Sequence, residues 1–261
     1  MSIGFNQLGK LGRLGNQMFQ YASLRGIASH RGFDFKIPPS DFKDEWKDHQ
    51  LLNAFKMKKN INIGECDGHY VKESHFHFDK NLFDHMPDGH NLLGYFQTTK
   101  YFEHIEEEIR KDFLFKRSIY RSSKKIINSL NDPIALHVRR GDYLKDSENH
   151  PPCPKEYYET ALTKFDKYRN VIIFSDDPEW CKSEFRDDRF IISEEKDNLK
   201  DLCTMSLCTD FIIANSSFSW WGSWLSENSS KKIIAPKKWF GTGYTAAHDT
   251  SDLYCDNWEV I

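Results

Sequence analysis

The chain has 261 residues, of which 39% are hydrophobic, so it holds enough apolar material for one large core or two modest ones. Charged residues make up 29% and nearly cancel to a formal net charge of −3, which gives no reason to expect a nucleic-acid or membrane-surface partner. Any positive charge that matters for function must therefore be local.

The start of the chain follows the pattern of a strand, a glycine-rich turn, a helix and a second strand. We predict the strand over Ile3–Leu8, the turn over Gly9–Gly15, the helix over Asn16–His30 and the second strand over Phe33–Ile37. Two strands joined by a helix form a βαβ unit, which implies a parallel sheet. Periodicity is weak over 40–90. A helix is predicted over Tyr101–Lys111, where acidic residues precede basic ones, as the helix dipole favours.

Strands and helices alternate more clearly in the second half. We predict strands over Ile134–Val138, Val171–Phe174, Phe190–Ile192, Phe211–Ala214 and Ile233–Ala235. Helices are predicted from Pro178 onward, over Leu199–Cys208 with Asn198 as N-cap, and over Phe218–Leu225. This alternation indicates doubly wound α/β sheets in both halves. We divide the chain into domains 1–120 and 121–261, with a linker near 112–132.

The other sequence features predict a soluble cytoplasmic protein. The N-terminus has no basic segment followed by an apolar run, so we expect no signal peptide. No window approaches 18 apolar residues, so we expect no membrane span. Six cysteines occur without a Cys-x-x-C pair, and we expect reduced thiols.

Two adjacent arginines, Arg139 and Arg140, directly follow the predicted strand Ile134–Val138. Ligands of open parallel sheets bind beyond the carboxyl ends of the strands, so these side chains stand where a ligand is expected. A guanidinium group matches phosphate oxygens in a bidentate manner and stays charged at every relevant pH. The pair is therefore suited to stabilise a departing diphosphate. The alternative is a structural ion pair with Asp142.

Many glycosyltransferases hold a diphosphate through a metal ion bound by Asp-x-Asp, but this chain contains no such motif. The adjacent pairs Asp176-Asp177 and Asp187-Asp188 would point in different directions. We therefore predict no metal site and no cofactor, with arginine in the place of the metal.

Two further strands end in polar clusters. Ser175-Asp176-Asp177 offers carboxylates that can accept hydrogen bonds from guanine or ribose, while Asp177 has the alternative role of a helix cap. Asn215-Ser216-Ser217-Phe218 offers hydroxyl and backbone N–H groups at a helix N-terminus, where anions bind, and capping by Ser217 is again the alternative. Trp220, Trp221 and Trp224 are expected to pack in the core.

The turn at Gly9–Gln17 is neither the dinucleotide-binding fingerprint nor a P-loop. It places flexible backbone, Arg13 and Asn16 at a strand-to-helix turn, from which we expect them to face the cleft between the domains.

Four blocks of the chain together resemble the α-1,2-fucosyltransferases of glycosyltransferase family 11. They are Gly12–Ala22 (GRLGNQMFQYA), His137–Tyr143 (HVRRGDY, similar to the motif His-x-Arg-Arg-x-Asp), Phe174–Asp177 (FSDD) and Asn215–Trp221 (NSSFSWW). They occur in the family order, and the combination is far more specific than any single block. Animal members carry a membrane anchor, which this chain lacks.

The resemblance implies a GT-B-like fold of two facing Rossmann-like domains, with the acceptor on the N-terminal side and GDP-β-L-fucose on the C-terminal side. It implies transfer of fucose to the 2-hydroxyl of a β-galactoside, with inversion. Arg140 would contact the donor diphosphate and His137 would lie beside it. The remaining donor-binding residues implied are Gly15, Arg139, Ser175, Asp176, Asn215, Ser216, Ser217 and Phe218. Asn16 would approach fucose and the acceptor.

Some alternatives stay open at this point. Asp142, Asp146 and Glu148 are candidates for the base that takes the acceptor proton, although we favour an orienting role for Asp142. An α-1,6-fucosyltransferase shares the arginine motif, but the opening turn and the Trp-Trp block favour the α-1,2 type. A non-catalytic sugar- or nucleotide-binding module is a third reading. The natural acceptor and the oligomeric state are not predicted.

Overall fold

A computed structural model describes residues 1–39, 43–44, 47–57, 61–245 and 248–261. The chain forms two compact units, Met1–Lys116 with Ala247–Cys255, and Arg117–Ala246 with Asp256–Ile261. From the sequence we predict that residues 121–261 form one domain. In the structure, Ala247–Cys255 belongs instead to the first unit. The contact is polar, because Asp252 accepts a hydrogen bond from the Phe78 backbone N–H at 3.1 Å and pairs with Lys100.

The N-terminal unit is built on a parallel sheet of five strands in the order β5-β2-β1-β7-β6. Its strands, together with an antiparallel pair β3–β4, are β1 Ser2–Gly4, β2 Asp34–Ile37, β3 Lys43–Asp44, β4 Lys47–Asp48, β5 Asn62–Ile63, β6 Tyr70–Lys72 and β7 Asn91–Leu93. Its helices are α1 Leu14–Arg31, α2 Leu51–Ala54, α3 Lys80–His85 and α4 Glu106–Asp112, with 3₁₀ turns at Thr99–Tyr101 and Glu103–Ile105.

Helix α1 anchors the core of this unit. It ends where Gly32 takes a left-handed conformation at φ 67° and its N–H reaches the carbonyls of Ala28 and Ser29. Gly26 permits close approach to the next layer, since a Cβ there would lie 1.9 Å from the Tyr101 carbonyl oxygen. Strand β1 and helix α1 thus hold the intervening glycine turn at the carboxyl edge of the sheet.

The C-terminal unit carries a parallel sheet of six strands in the order β10-β9-β8-β11-β12-β13. The strands are β8 Ile134–Val138, β9 Val171–Ser175, β10 Phe190–Ile192, β11 Asp210–Ile212, β12 Ile233–Ala235 and β13 Glu259–Val260. The helices are α5 Arg117–Ile127, α6 Lys155–Leu162, α7 Pro178–Glu184, α8 Asn198–Ser206, α9 Ser217–Trp224 and α10 Thr242–Thr245, with a 3₁₀ turn at Tyr143–Lys145. Numbered within the unit, the order is that of a doubly wound fold, which confirms the predicted α/β class.

Several local predictions need correction. The boundary between the units, at Lys116 and Arg117, falls within the predicted stretch 112–132. That stretch is a helix rather than a linker over most of its length, because α5 occupies Arg117–Ile127 and buries Ile119 and Ile127. The predicted helix Tyr101–Lys111 breaks into two 3₁₀ turns before α4. The N-cap of α8 is Asp197, whose carboxylate accepts from the Leu199 N–H, rather than Asn198.

The burial of the tryptophan cluster is confirmed. Trp220, Trp221 and Trp224 are buried as predicted, and Trp220 also packs on Trp258 with ring centroids 5.4 Å apart. All six cysteines are free thiols. Within the described ranges, no helix combines the length and apolar character that crossing a bilayer requires.

Candidate functional site

The polar clusters of the C-terminal unit lie at the carboxyl ends of β8, β9 and β11. Strand β8 is central, with β9 on one side and β11 on the other, and the register pairs Val138 with Ser175. The strand order reverses between β8 and β11, which makes this edge the switch point where doubly wound sheets bind ligands. The fold therefore brings His137, Arg139, Arg140 and the cluster after β11 to one edge.

Arg139 is held by two carboxylates. One terminal nitrogen pairs with Asp176 at 2.8 Å and the other with Asp142 at 2.7 Å, while the guanidinium centre lies 5.4 Å from the centroid of the Tyr143 ring. The ion pair with Asp142, weighed from sequence as the alternative, is thus present. Both ends of the Arg139 fork are occupied by the protein itself, so the side chain shapes the loop after β8.

Arg140 is held differently. Its Nε donates to Asp177 at 3.2 Å, and its guanidinium centre lies 4.1 Å from the centroid of the Trp180 ring. No hydrogen bond or ion pair joins its two terminal nitrogens to the described part of the chain, and the side chain is 20% exposed. Stacking and the Nε contact fix the plane of the fork and leave its outer edge for a ligand.

The two aspartates after β9 organise this arginine loop. Asp176 accepts a hydrogen bond from the Arg140 backbone N–H at 2.9 Å and also pairs with Arg139. Gly141 leaves room for this carboxylate, because a Cβ on Gly141 would lie 2.8 Å from the Asp176 Oδ2 atom. Asp177 caps α7 by accepting from the Trp180 N–H, as the sequence alternative proposed. Its own N–H donates to the Ser175 hydroxyl at 2.9 Å. Each carboxylate therefore links β9 to an adjacent arginine.

His137 is buried under the loop, with its Nδ1 2.9 Å from the Ser219 hydroxyl. Burial, then the neighbouring Arg139 charge, lowers its pKa to about 3, so the ring is neutral at physiological pH. The ring also contacts Phe218 at 5.6 Å between centroids. His137 thus ties β8 to the start of α9 as a neutral hydrogen-bonding group.

Asn215 is buried and has its side chain fully engaged. Its amide nitrogen donates to the carbonyls of Pro151 and Trp239, its amide oxygen accepts from the Cys153 thiol, and its backbone carbonyl accepts from the Tyr143 hydroxyl. This residue ties several loops together at the end of β11.

The residues that follow Asn215 are more accessible. Ser216 is the N-cap of α9 without a side-chain capping bond, and Ser216, Ser217 and Phe218 are half-buried. The alternative of Ser217 as N-cap does not apply, because Ser216 occupies that position and Ser217 is the first helical residue. The first turn of α9 places backbone N–H groups at the same edge as Arg140, which suits an anionic ligand.

Gly15 and Asn16 lie in the N-terminal unit, in the first turn of α1. The Asn16 side-chain oxygen accepts from the Gln97 amide at 2.9 Å, and Gln20 donates to the carbonyls of Leu11 and Gly94. These bonds join the glycine turn after β1 to the segment after β7. Since β1 and β7 are neighbours at the reversal point of this sheet, the turn also lies at a switch point.

Sequence reasoning missed Glu73, which follows β6 at the same edge. Its carboxylate accepts from the backbone N–H groups of Tyr95 and Phe96 at 2.8 and 2.9 Å. Phe96 has φ 53°, a left-handed conformation that is unfavourable for a bulky residue, and Glu73 holds that turn. Burial raises the pKa of Glu73 to about 7. No motif marks this residue, and only the fold brings it to the turn.

The other base candidates lie on the loop after β8. Asp146 and Glu148 are exposed, and Asp146 accepts from the Asn149 amide at 2.8 Å. Asp142 bonds to Arg139. Among the described residues, no group of three or more His, Cys, Asp or Glu side chains is arranged to hold a metal ion.

Comparison with known proteins gives relatives that align with most of the chain. The O-antigen biosynthesis glycosyltransferase WbnK of Escherichia coli is 28% identical over 95% of this chain and 97% of its own. An α-1,2-colitosyltransferase of Escherichia coli is 28% identical over 88% of this chain and 90% of its own. The bovine galactoside 2-α-L-fucosyltransferase SEC1 is 24% identical over 84% of this chain and 64% of its own.

Solved structures with the same fold are the apo form of POFUT1 and the fucosyltransferase NodZ from Bradyrhizobium. POFUT1 superposes with a TM-score of 0.59 at 12% identity, covering 90% of this chain and 97% of its own. NodZ gives a TM-score of 0.57 at 12% identity, covering 86% and 92%. These likenesses support the GT-B-like fold class.

The sequence of residues 2–261 matches the family described as Glycosyl transferase family 11. With that match and the relatives above, the chain belongs to glycosyltransferase family 11 and is a glycosyltransferase.

Proposed function

We propose that this enzyme transfers L-fucose from GDP-β-L-fucose to the 2-hydroxyl of a terminal β-galactoside, with inversion and without a metal ion. The observation that carries the proposal is the Arg140 fork, stacked on Trp180 and oriented by Asp177 with its outer edge uncommitted. Such a fork, fixed at the switch point of the C-terminal sheet, matches a diphosphate. The α-1,2 linkage is supported by the relatives that carry it in their names.

In the proposed reaction, the acceptor hydroxyl attacks the anomeric carbon opposite GDP through a transition state with oxocarbenium character. Negative charge grows on the departing diphosphate, and Arg140 stabilises it. Arg139 acts through Asp142 and Asp176 to position the loop, because both ends of its fork are already paired. His137 stays neutral and supports the first turn of α9, whose N–H groups face the phosphates.

The N-terminal unit is proposed as the acceptor side, with Gly15 and Asn16 in the turn that approaches fucose and the acceptor. Asp142 is proposed to orient Arg139 rather than to take the acceptor proton, since its carboxylate is engaged. We also propose that the protein acts in the cytoplasm, where its six free thiols fit a reducing environment.

The test is transfer from GDP-fucose to lactose, with the product linkage read by NMR. We expect a fucosyl α-1,2-galactose product from the wild type. We expect no transfer from Arg140→Ala with an unchanged thermal unfolding curve. Near wild-type turnover by that variant would overturn the arginine assignment.

Other outcomes separate the alternatives. An α-1,6-linked product would overturn the linkage, and turnover with GDP-colitose but not GDP-fucose would overturn the donor sugar. GDP binding with no turnover on any galactoside would indicate a non-catalytic binding module.

A further inference from the structure

The chain turns after strand β7 at residues Gly94–Gln97, which we call the β7 turn. Strand β7 lies between β1 and β6, so this turn stands beside the point where the strand order of the N-terminal sheet reverses. Ligands of such sheets bind beyond the carboxyl ends of the strands at that point. The β7 turn is therefore placed to support a binding site in this unit.

Helix α1 holds the β7 turn on one side. The Gln20 amide donates to the Gly94 carbonyl at 3.1 Å, and the Ser23 hydroxyl donates to the Phe96 carbonyl at 3.2 Å. Gln20 and Ser23 are both completely buried. The β7 turn is thus fixed to the same helix that begins at the glycine turn.

Glu73 holds the β7 turn on the other side. Its two carboxylate oxygens accept from the backbone N–H groups of Tyr95 and Phe96 at 2.8 and 2.9 Å. Gly94 leaves room for this carboxylate, because a Cβ on Gly94 would lie 2.6 Å from the Glu73 Oε2 atom. With its backbone held from both sides, the turn presents the Gln97 side chain from a fixed position.

Gln97 uses its side-chain amide for a single contact. The Nε2 atom donates to the Asn16 side-chain oxygen at 2.9 Å, and the residue is only 7% exposed. Its own Oε1 atom is buried and has no hydrogen-bond partner among the residues that the structure describes. A buried acceptor without a partner is destabilising, and an apolar side chain of similar size would avoid that cost. Stability alone thus does not account for a glutamine here, which points to its contact with Asn16.

Asn16 is held between the β7 turn and the glycine turn. Its side-chain oxygen faces Gln97, whereas its side-chain nitrogen lies against Gly12, where a Cβ would collide with it. Gly12 has φ 81°, a left-handed conformation that favours glycine. The two ends of an asparagine amide differ, one being an acceptor and the other a donor. The Gln97 donor selects the orientation in which the oxygen faces the β7 turn and the nitrogen faces Gly12.

We propose that Gln97 is a positioning residue for sugar transfer, which acts by fixing the orientation of the Asn16 amide. The inference rests on the proposed function, in which Asn16 approaches fucose and the acceptor. Transfer requires the reacting groups to be held in place, and a displacement of about 1 Å can cost roughly a hundredfold in rate. Loss of the Gln97 donor should therefore slow transfer without changing GDP binding, because the proposed diphosphate site belongs to the C-terminal unit.

The test compares Gln97→Met and Gln97→Glu with the wild type. Transfer is measured as kcat and KM for the acceptor, with GDP-fucose and lactose or with whichever donor and acceptor the wild type turns over. The first variant removes the donor and fills the same space. The second keeps the shape but presents an acceptor, so Asn16 must turn its nitrogen toward it.

Both variants should lower kcat/KM for the acceptor by roughly ten- to a hundredfold and keep the Kd for GDP within about twofold of the wild type. Gln97→Met should also keep the thermal unfolding midpoint within about 3 °C. Gln7→Met is the matched control, because the Gln7 amide also donates to a side chain of this unit, the Tyr70 hydroxyl at 3.1 Å. Its kcat/KM should stay within about twofold of the wild type.

A double-mutant comparison shows whether Gln97 acts through Asn16. In an Asn16→Ala background, Gln97→Met should cost less than about threefold. The full loss in both backgrounds would overturn the proposal, as would wild-type kinetics of Gln97→Glu. A large fall in the unfolding midpoint of Gln97→Met would also overturn it, since Gln97 would then be a structural residue.

Failure of the proposed function gives a different result. Transfer from another donor or to another hydroxyl would overturn the proposed reaction, and the Gln97 variants would then be judged on that reaction. A wild type without any transfer activity would overturn both.

Discussion

Replacing Arg140 by lysine keeps the positive charge but removes the planar fork that the structure holds against Trp180. The stacking distance of 4.1 Å corresponds to a cation–π contribution of about 1 kcal/mol. Loss of one charge-assisted hydrogen bond to the diphosphate adds about 1.5–3 kcal/mol. Together these predict that Arg140→Lys lowers kcat/KM by roughly two to three orders of magnitude, at 1.36 kcal/mol for each tenfold.

The assay is the initial rate of fucose transfer from GDP-fucose to lactose, measured over a range of donor concentrations. Arg189→Lys is the matched control, because the Arg189 guanidinium also stacks on an aromatic ring, at 4.7 Å from the Phe190 centroid, but stands before β10 rather than after β8. We expect that control to stay within twofold of the wild type. A kcat/KM for Arg140→Lys within threefold of the wild type would show that the planar guanidinium is not needed for transfer.

Three further predictions concern stability and metal dependence. Asp112 is fully buried and binds the Tyr21 hydroxyl and Arg25, so Asp112→Asn should lower the free energy of unfolding by about 3–5 kcal/mol. The control Glu106→Gln, at the exposed ion pair with Arg110, should lower it by less than about 1 kcal/mol. Thermal or urea unfolding measures both changes. The raised pKa of Glu73 means that its contribution to stability is present below pH 4.5 and lost as pH rises through about 7. The wild type should therefore lose about 3 kcal/mol of unfolding free energy as the pH rises through this range, and Glu73→Gln should not. Urea unfolding as a function of pH tests this, and the same pH profile for both proteins would contradict the raised pKa of Glu73. Activity should be unchanged in EDTA, and a loss that divalent ions restore would contradict a metal-independent reaction.

The strands of the C-terminal unit were the most predictable part of the fold. Strand β8 is a run of five buried residues, bounded by Pro133 before it and Arg139 after it, so local sequence marks both of its ends. Strand β13 has two residues, one of them Glu259, and is recognisable only from its pairing with β12. Helix α5 was not predicted either, because its three buried residues are widely spaced and lie among charged and serine residues.

The different states of Arg139 and Arg140 could not be predicted from the sequence. The two residues are adjacent and chemically identical, and their difference arises from Asp176 and Asp177 on the neighbouring strand. Which aspartate reaches which arginine depends on the register of β8 against β9. Glu73 was missed for a similar reason, since its partners lie more than twenty positions later in the chain.

We propose that the Arg140 guanidinium binds the donor diphosphate directly. Isothermal titration of GDP into the wild type and Arg140→Ala, both in EDTA, tests it without any assumption about the acceptor. We predict measurable GDP binding by the wild type and an affinity at least tenfold weaker in the variant, the loss expected for one charge-assisted contact. Equal affinities, or wild-type binding that requires an added divalent ion, would contradict it.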